Sequence, residues 1–150
     1  MSDTEKCFTI VMADDDPDDC QLLADVMSES GMSHNLRFLP DGEELTDYLW
    51  MRGRYTDEKL APRPDLVLLD LNMPKLDGRE VLRQLKDDGF ELRVPIVVLT
   101  TSSSKDDISF CYDMGVSAFI TKPVTFRAWA ELVKVLNEYW FKLIKLPSVD

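Results

Sequence analysis

Four apolar runs along the chain lead to polar residues. Thr9-Ile10-Val11-Met12-Ala13 precedes Asp14-Asp15, Leu66-Val67-Leu68-Leu69 precedes Asp70, Ile96-Val97-Val98-Leu99 precedes Thr100, and Ala118-Phe119-Ile120 leads to Lys122. Runs this short, rich in Val, Ile and Leu and without alternation, predict strands buried on both faces. Leu36 to Leu39 adds a short second strand. Helical spacing fills the intervals. Leu23, Val26 and Met27 share one face of a helix from about Asp16 to Ser30, with Pro17 suited to its first turn and Gly31 to its end. A second helix opens at Asp41-Gly42 and runs through Leu45, Tyr48 and Leu49. A third spans Gly78 to Asp87 with Val81, Leu82 and Leu85 inward. Ser102 to Asp107 supplies caps for a fourth, carrying Ile108, Cys111 and Met114, and the last starts near Thr125. Residues 53–64, flanked by Arg52 and containing Arg54, Pro62 and Arg63, form a longer connection than such folds usually need. Alternating strands and helices imply a mostly parallel sheet with helices on both faces.

In open α/β sheets, ligands bind at the carboxyl ends of the strands. The pattern therefore predicts that the carboxylates of Asp14, Asp15 and Asp70, the Thr100 hydroxyl and the Lys122 ammonium converge at one edge of the sheet. That donor set suits a divalent cation and a phosphoryl group. Asp14-Asp15 is favoured because it directly follows the apolar run; a register one residue later, Asp15-Asp16, competes with it. Asp16, Asp18 and Asp19 read as a negative first turn that complements the helix dipole. Thr101 competes with Thr100 for the hydroxyl role.

Composition narrows the function. The chain has 150 residues, one ordinary domain, with 45% hydrophobic residues. The net charge of −11 argues against unaided nucleic-acid binding, which relies on Lys and Arg at phosphates. No apolar run approaches the ~18 residues of a membrane span, and the first residues lack a signal-peptide pattern. Cys7, Cys20 and Cys111 have no metal or disulfide spacing, so a reducing cytoplasm is expected. The single histidine, His34, lies outside the four motifs. A transferable phosphoryl group is therefore expected to come from another protein.

The segments carry a family resemblance. Met12-Ala-Asp-Asp-Asp-Pro-Asp-Asp19 resembles the acidic turn of response-regulator receiver domains. Asp65-Leu-Val-Leu-Leu-Asp-Leu-Asn-Met-Pro74, with Asp77-Gly78, resembles the stretch around that family's phosphorylated aspartate. Pro95 to Thr101 and Ala118 to Pro123 resemble its fourth and fifth strands, and the likeness covers roughly residues 7–140. It implies a flavodoxin-like, doubly wound sheet of five parallel strands in the order 2-1-3-4-5. Asp70 becomes the phosphoacceptor. Asp15, Asp70 and the Asn72 backbone carbonyl would ligate Mg²⁺ directly, with Asp14 acting through water and Mn²⁺ as a substitute metal. Thr100 and Lys122 would bind the phosphoryl group, the Lys122-Pro123 bond would be cis, and Phe119 would be the switch aromatic. The implied partner is a sensor histidine kinase. The loop arginines and the ending Tyr139-Trp-Phe-Lys-Leu-Ile-Lys-Leu-Pro147 further resemble stand-alone receivers of the phytochrome-associated type.

Two other functions compete. A phosphatase of the haloacid dehalogenase type also pairs a strand-end Asp with Mg²⁺, Thr and Lys. It needs a second Asp as proton donor where this chain has Asn72, which cannot transfer a proton. A receiver that binds partners without phosphorylation is the other. No output domain follows the predicted last helix, so the signal is expected to leave through this domain's own surface. Trp129, Leu132, Val133, Leu136 and Trp140 predict a core-facing stripe on that helix. Ala128, Leu132, Val135 and Tyr139 form a second, followed by Phe141, Leu143, Ile144 and Leu146. One helix on a single sheet needs one apolar face. The surplus predicts a homodimer, or a tail at 141–150 folded back over the domain.

Overall fold

The computed structural model describes residues 7–31, 34–57, 59–89 and 94–139. Its strands are β1 (Thr9–Ala13), β2 (Asn35–Leu39), β3 (Leu66–Leu69), β4 (Ile96–Thr100) and β5 (Ala118–Thr121). They alternate with helices α1 (Pro17–Glu29), α2 (Gly42–Leu49), α3 (Gly78–Asp87), α4 (Lys105–Asp113) and α5 (Phe126–Leu136). All the pairings are parallel, in the order β2-β1-β3-β4-β5. A single 3₁₀ turn, Gly53–Tyr55, sits in the long connection after α2.

Period-two geometry sends alternate residues of each central strand to opposite faces. Val11, Ala13, Val67, Leu69, Ile96 and Val98 join the core under α2, α3 and α4. Ile10, Met12, Leu66, Leu68, Val97 and Leu99 join the core under α1 and α5. Both faces are dry, so β1, β3 and β4 are continuous apolar runs. β5 departs from the expectation of burial on both faces. Ala118, Phe119 and Ile120 are only half-buried because β5 is an edge strand with one neighbour.

The helix ends follow local chemistry. Asp16, Asp41, Asp77, Ser104 and Thr125 each accept a backbone N–H of the helix they precede. Pro17 occupies the first turn of α1. Gly31 takes φ +73° just beyond it, a left-handed geometry that glycine adopts without strain. On α5, Trp129, Val133 and Leu136 are buried while Leu132 is half-buried. Val135 and Tyr139 stay 61% and 49% exposed. Trp140 and the tail at 141–150 lie outside the described residues.

Candidate phosphorylation and metal site

β1, β3, β4 and β5 deliver their last residues to one end of the sheet. β1 and β3 are paired, and Asp70 N donates to Ala13 O at 3.0 Å, so Asp14 and Asp70 emerge side by side. One carboxylate oxygen from each of Asp14, Asp15 and Asp70 lies within 4.8 Å of the others. Asp14 and Asp70 are buried and Asp15 is exposed, so the cluster has closed walls and one open side. Lys122 follows β5, and its backbone N donates to Thr100 O at 2.9 Å.

The Lys122 ammonium is the hub. Its Nζ lies 2.8 Å from Asp14 Oδ2, 2.8 Å from Asp19 Oδ2 and 2.9 Å from Asp70 Oδ2, with only 8% of the side chain exposed. Burial pulls its pKa down, but the ion pair with Asp14 and the hydrogen bonds to Asp19 and Asp70 outweigh it and hold the group above the ordinary lysine range. Asp14 shifts upward, to about 6, because burial penalises its charged form more than the adjacent Lys122 ammonium favours it. Its Oδ1 accepts from Asp16 N at 2.9 Å. Its buried Oδ2 is close to Lys122 but accepts no well-directed hydrogen bond among the described residues. Asp70 Oδ1 accepts from Asn72 N at 3.2 Å.

This donor set fits a hard divalent cation. Among the described residues, Asp14, Asp19 and Asp70 share the Lys122 ammonium, Asp15 adds a further carboxylate beside Asp14 and Asp70, and one buried Asp14 oxygen lacks an aligned donor. Mg²⁺ and Mn²⁺ prefer oxygen ligands and retain waters, so a few carboxylates and an open side suffice. Asp16 is engaged elsewhere, its side chain capping α1 through Asp18 N at 2.9 Å.

The other expected residues are placed as follows. Thr100 is fully buried, and its hydroxyl accepts from Ser102 N at 3.4 Å; Thr101 is exposed. The Asn72 side chain is exposed beside Asp70. Phe119 is half-buried against the core under α4, and its N–H donates to the Tyr112 hydroxyl at 3.1 Å. Two expectations need correction. No peptide bond among the described residues is cis, so Lys122-Pro123 is trans, and Lys122 reaches its three partners from that lower-energy geometry. Asp19 is also more than a dipole partner. It sits four residues before buried Leu23, on the helix face turned to the sheet, and so reaches Lys122. The spacing in the sequence puts Asp19 on that face, but only the fold brings Lys122 to it.

A second network lies beside Thr100. Ser102 Oγ donates to Asp107 Oδ2 at 2.6 Å. Arg79, from the first turn of α3, grips the same carboxylate through Nε at 2.8 Å and Nη2 at 2.7 Å. The Arg79 hydrogen bonds hold Asp107 well below the usual carboxylate range. This fork ties the loop after β4 to the helix that follows Asp70. Sequence reasoning missed it because the partners are 28 residues apart.

The comparisons agree with this geometry. Response regulator Rcp1 of Synechocystis is 36% identical over 139 residues, 93% of this chain and 92% of its own. The crystal structure of Mn²⁺-bound Rcp1 matches with a TM-score of 0.82, covering 94% of this chain and 99% of that one. The phosphorylated cyanobacterial phytochrome response regulator RcpA is 39% identical with a TM-score of 0.85, covering 95% and 100%. Response regulator RPA3017, in red light signaling of R. palustris, is 37% identical with a TM-score of 0.85, covering 93% and 98%. Residues 10–135 match the response regulator receiver domain. The acidic pocket at the carboxyl edge of a five-stranded parallel sheet, the order of its strands and these relatives together place the chain in the response regulator receiver domain family.

Proposed function

We propose that this chain is a stand-alone response regulator that accepts a phosphoryl group on Asp70 from a sensor histidine kinase. The observation that carries the reading is the cluster of Asp14, Asp15 and Asp70, with the Lys122 ammonium on Asp14 and Asp70. An Asp70 oxygen attacks phosphorus, the P–N bond of the donor phosphohistidine breaks, and the imidazole leaves with the electron pair. Lys122 already sits 2.9 Å from Asp70 and can follow the new phosphoryl oxygens. Asp14, Asp15, Asp70 and the Asn72 carbonyl would hold Mg²⁺, with Mn²⁺ as a substitute. The bound cation would neutralise charge on the incoming group. Thr100 leaves its bond with Ser102 to donate to the phosphoryl group, and Phe119 packs inward behind it. This two-state change redraws the surface of α4, β5 and α5 that a partner senses. The chain would take small phosphoryl donors and hydrolyse its own acyl phosphate. It acts in the cytoplasm and needs no contact with DNA or membrane.

The likeness to RcpA, a phytochrome response regulator, and to RPA3017, in red light signaling, supports a kinase of the phytochrome type, tested by phosphotransfer profiling against the histidine kinases of the source organism. Exposed Val135 and Tyr139 support a homodimer through α5 and the tail. The primary test uses intact mass. Incubation with acetyl phosphate and Mg²⁺ adds one phosphate, and Asp70→Asn removes the addition. Undiminished labelling of that variant refutes the assignment.

A further inference from the structure

The outer edge of β2 carries open backbone groups that the candidate phosphorylation site does not use. Asn35 N donates to Phe8 O, and Leu39 O accepts from Asp14 N. In a parallel ladder, residues of that parity bond inward to β1. Leu36 and Phe38 therefore turn their N–H and C=O groups outward, where none bonds to another described residue. Such an edge is a template for an added strand.

A cavity of about 460 Å³ wraps this edge. Arg37 lines it, and Arg37 Nε is buried with no hydrogen-bond partner among the described residues. Arg54 contributes a second guanidinium, already held by Glu44 Oε1 at 3.0 Å and the Tyr55 hydroxyl at 2.9 Å. Tyr48 is fixed by donating to Pro62 O, so this wall is preformed. Phe38 and Leu60 stand at the mouth, 38% and 62% exposed. In a chain of net charge −11, this is a local site of positive charge beside apolar surface and open backbone groups.

We propose that the β2 edge docks an extended acidic segment of a partner protein. The segment pairs with the backbones of Leu36 and Phe38. It presents a carboxylate to Arg37 on one face of the strand and lays an aliphatic side chain against Phe38 on the other. Backbone pairing gives affinity and the Arg37 guanidinium, whose Nε has no hydrogen-bond partner among the described residues, gives specificity, the division of labour of strand addition. Arg37 is the specifying group because Arg54 already has a carboxylate.

The test is a titration of the ¹⁵N-labelled full chain with the peptide Ac-Val-Asp-Leu-Asp-Val-NH₂, matched to the five residues of β2. Amide shifts should concentrate at residues 36–39 and at Tyr55 and Leu60. Affinity should fall about tenfold for the peptide with Asn in place of Asp, and likewise for Arg37→Gln. Leu60→Asp, on an exposed side chain, should weaken binding without disturbing the fold. Labelling of Asp70 by acetyl phosphate stays intact in these variants, which separates this surface from the phosphorylation site. The proposal is overturned by an absence of shifts at millimolar peptide, by equal response to both peptides, or by shifts centred on the Asp14–Asp70 pocket. It is also overturned if residues 36–39 shift with protein concentration alone, which would make a second copy the occupant.

Discussion

At Asp14, burial and a buried cation pull in opposite directions. The residue is 3% exposed, and burial wins, so its pKa rises from 3.8 to about 6. A raised acid pKa means that the folded state holds the proton longer than the unfolded state. The stability it contributes is fully present below 3.8 and is lost as pH rises through about 6. Without metal, the melting temperature of Asp14→Asn should therefore gain on the wild type between pH 4 and 7 and level off above. Saturating Mg²⁺, which selects the ionised carboxylate, should reverse that ordering at pH 7. Calorimetry of both proteins decides it, and a difference that stays flat with pH contradicts the argument. The neighbouring acids separate by geometry. Asp15 belongs to the three-carboxylate cluster, whereas Asp16 caps α1, a role Asn fills equally well. Asp15→Asn should weaken Mg²⁺ binding strongly and Asp16→Asn only slightly by titration calorimetry. The reverse order would restore the later register.

At the scale of elements, the site depends on how closely helices approach the loop after Asp70. A Cβ on Gly78 would stand 2.6 Å from Asp70 O and 2.7 Å from Leu71 Cα, both backbone atoms that cannot step aside. Gly78 thus lets α3 start directly against the backbone at Asp70 and Leu71. Gly89 has φ +72° and open space around it. Gly78→Ala should lower the urea-unfolding free energy by about 2–3 kcal/mol or more, while Gly89→Ala should cost roughly 1 kcal/mol, the left-handed backbone penalty alone. Comparable losses would mean that the approach is looser than described. The Arg79–Asp107 fork works at the same scale, holding the start of α4 to the start of α3 while Ser102 links it to Thr100.

For the whole molecule, the surplus apolar surface on α5 is the feature the sheet does not absorb. Burying large apolar side chains is worth roughly 1.5–3 kcal/mol each, so exposed Val135 and Tyr139 favour association. Val135→Asp combined with Tyr139→Asp should convert a dimer to a folded monomer by light scattering. Labelling of Asp70 should be unaffected, since that site lies at the carboxyl edge of the sheet. A wild-type chain that is monomeric at all accessible concentrations rules this interface out. A dimer that survives both substitutions would have to form elsewhere, most directly through the surface after Thr100.

The sequence by itself determined the strands, the helices and their order, because burial on both faces leaves uninterrupted apolar runs and one-sided burial leaves helical spacing. It also placed Asp14, Asp70, Thr100 and Lys122 at strand ends, since local register needs no distant partner. Only the tertiary structure decided which groups meet. Asp19 reaches Lys122 across 103 positions, and Arg79 finds Asp107 across 28, through side chains whose neighbours depend on how helices cross the sheet. The trans Lys122-Pro123 bond, the half-burial of β5 and the Arg37 Nε without a hydrogen-bond partner among the described residues belong to the same class. Each is set by what packs beside a residue in space, and hydrophobic patterning carries no record of that.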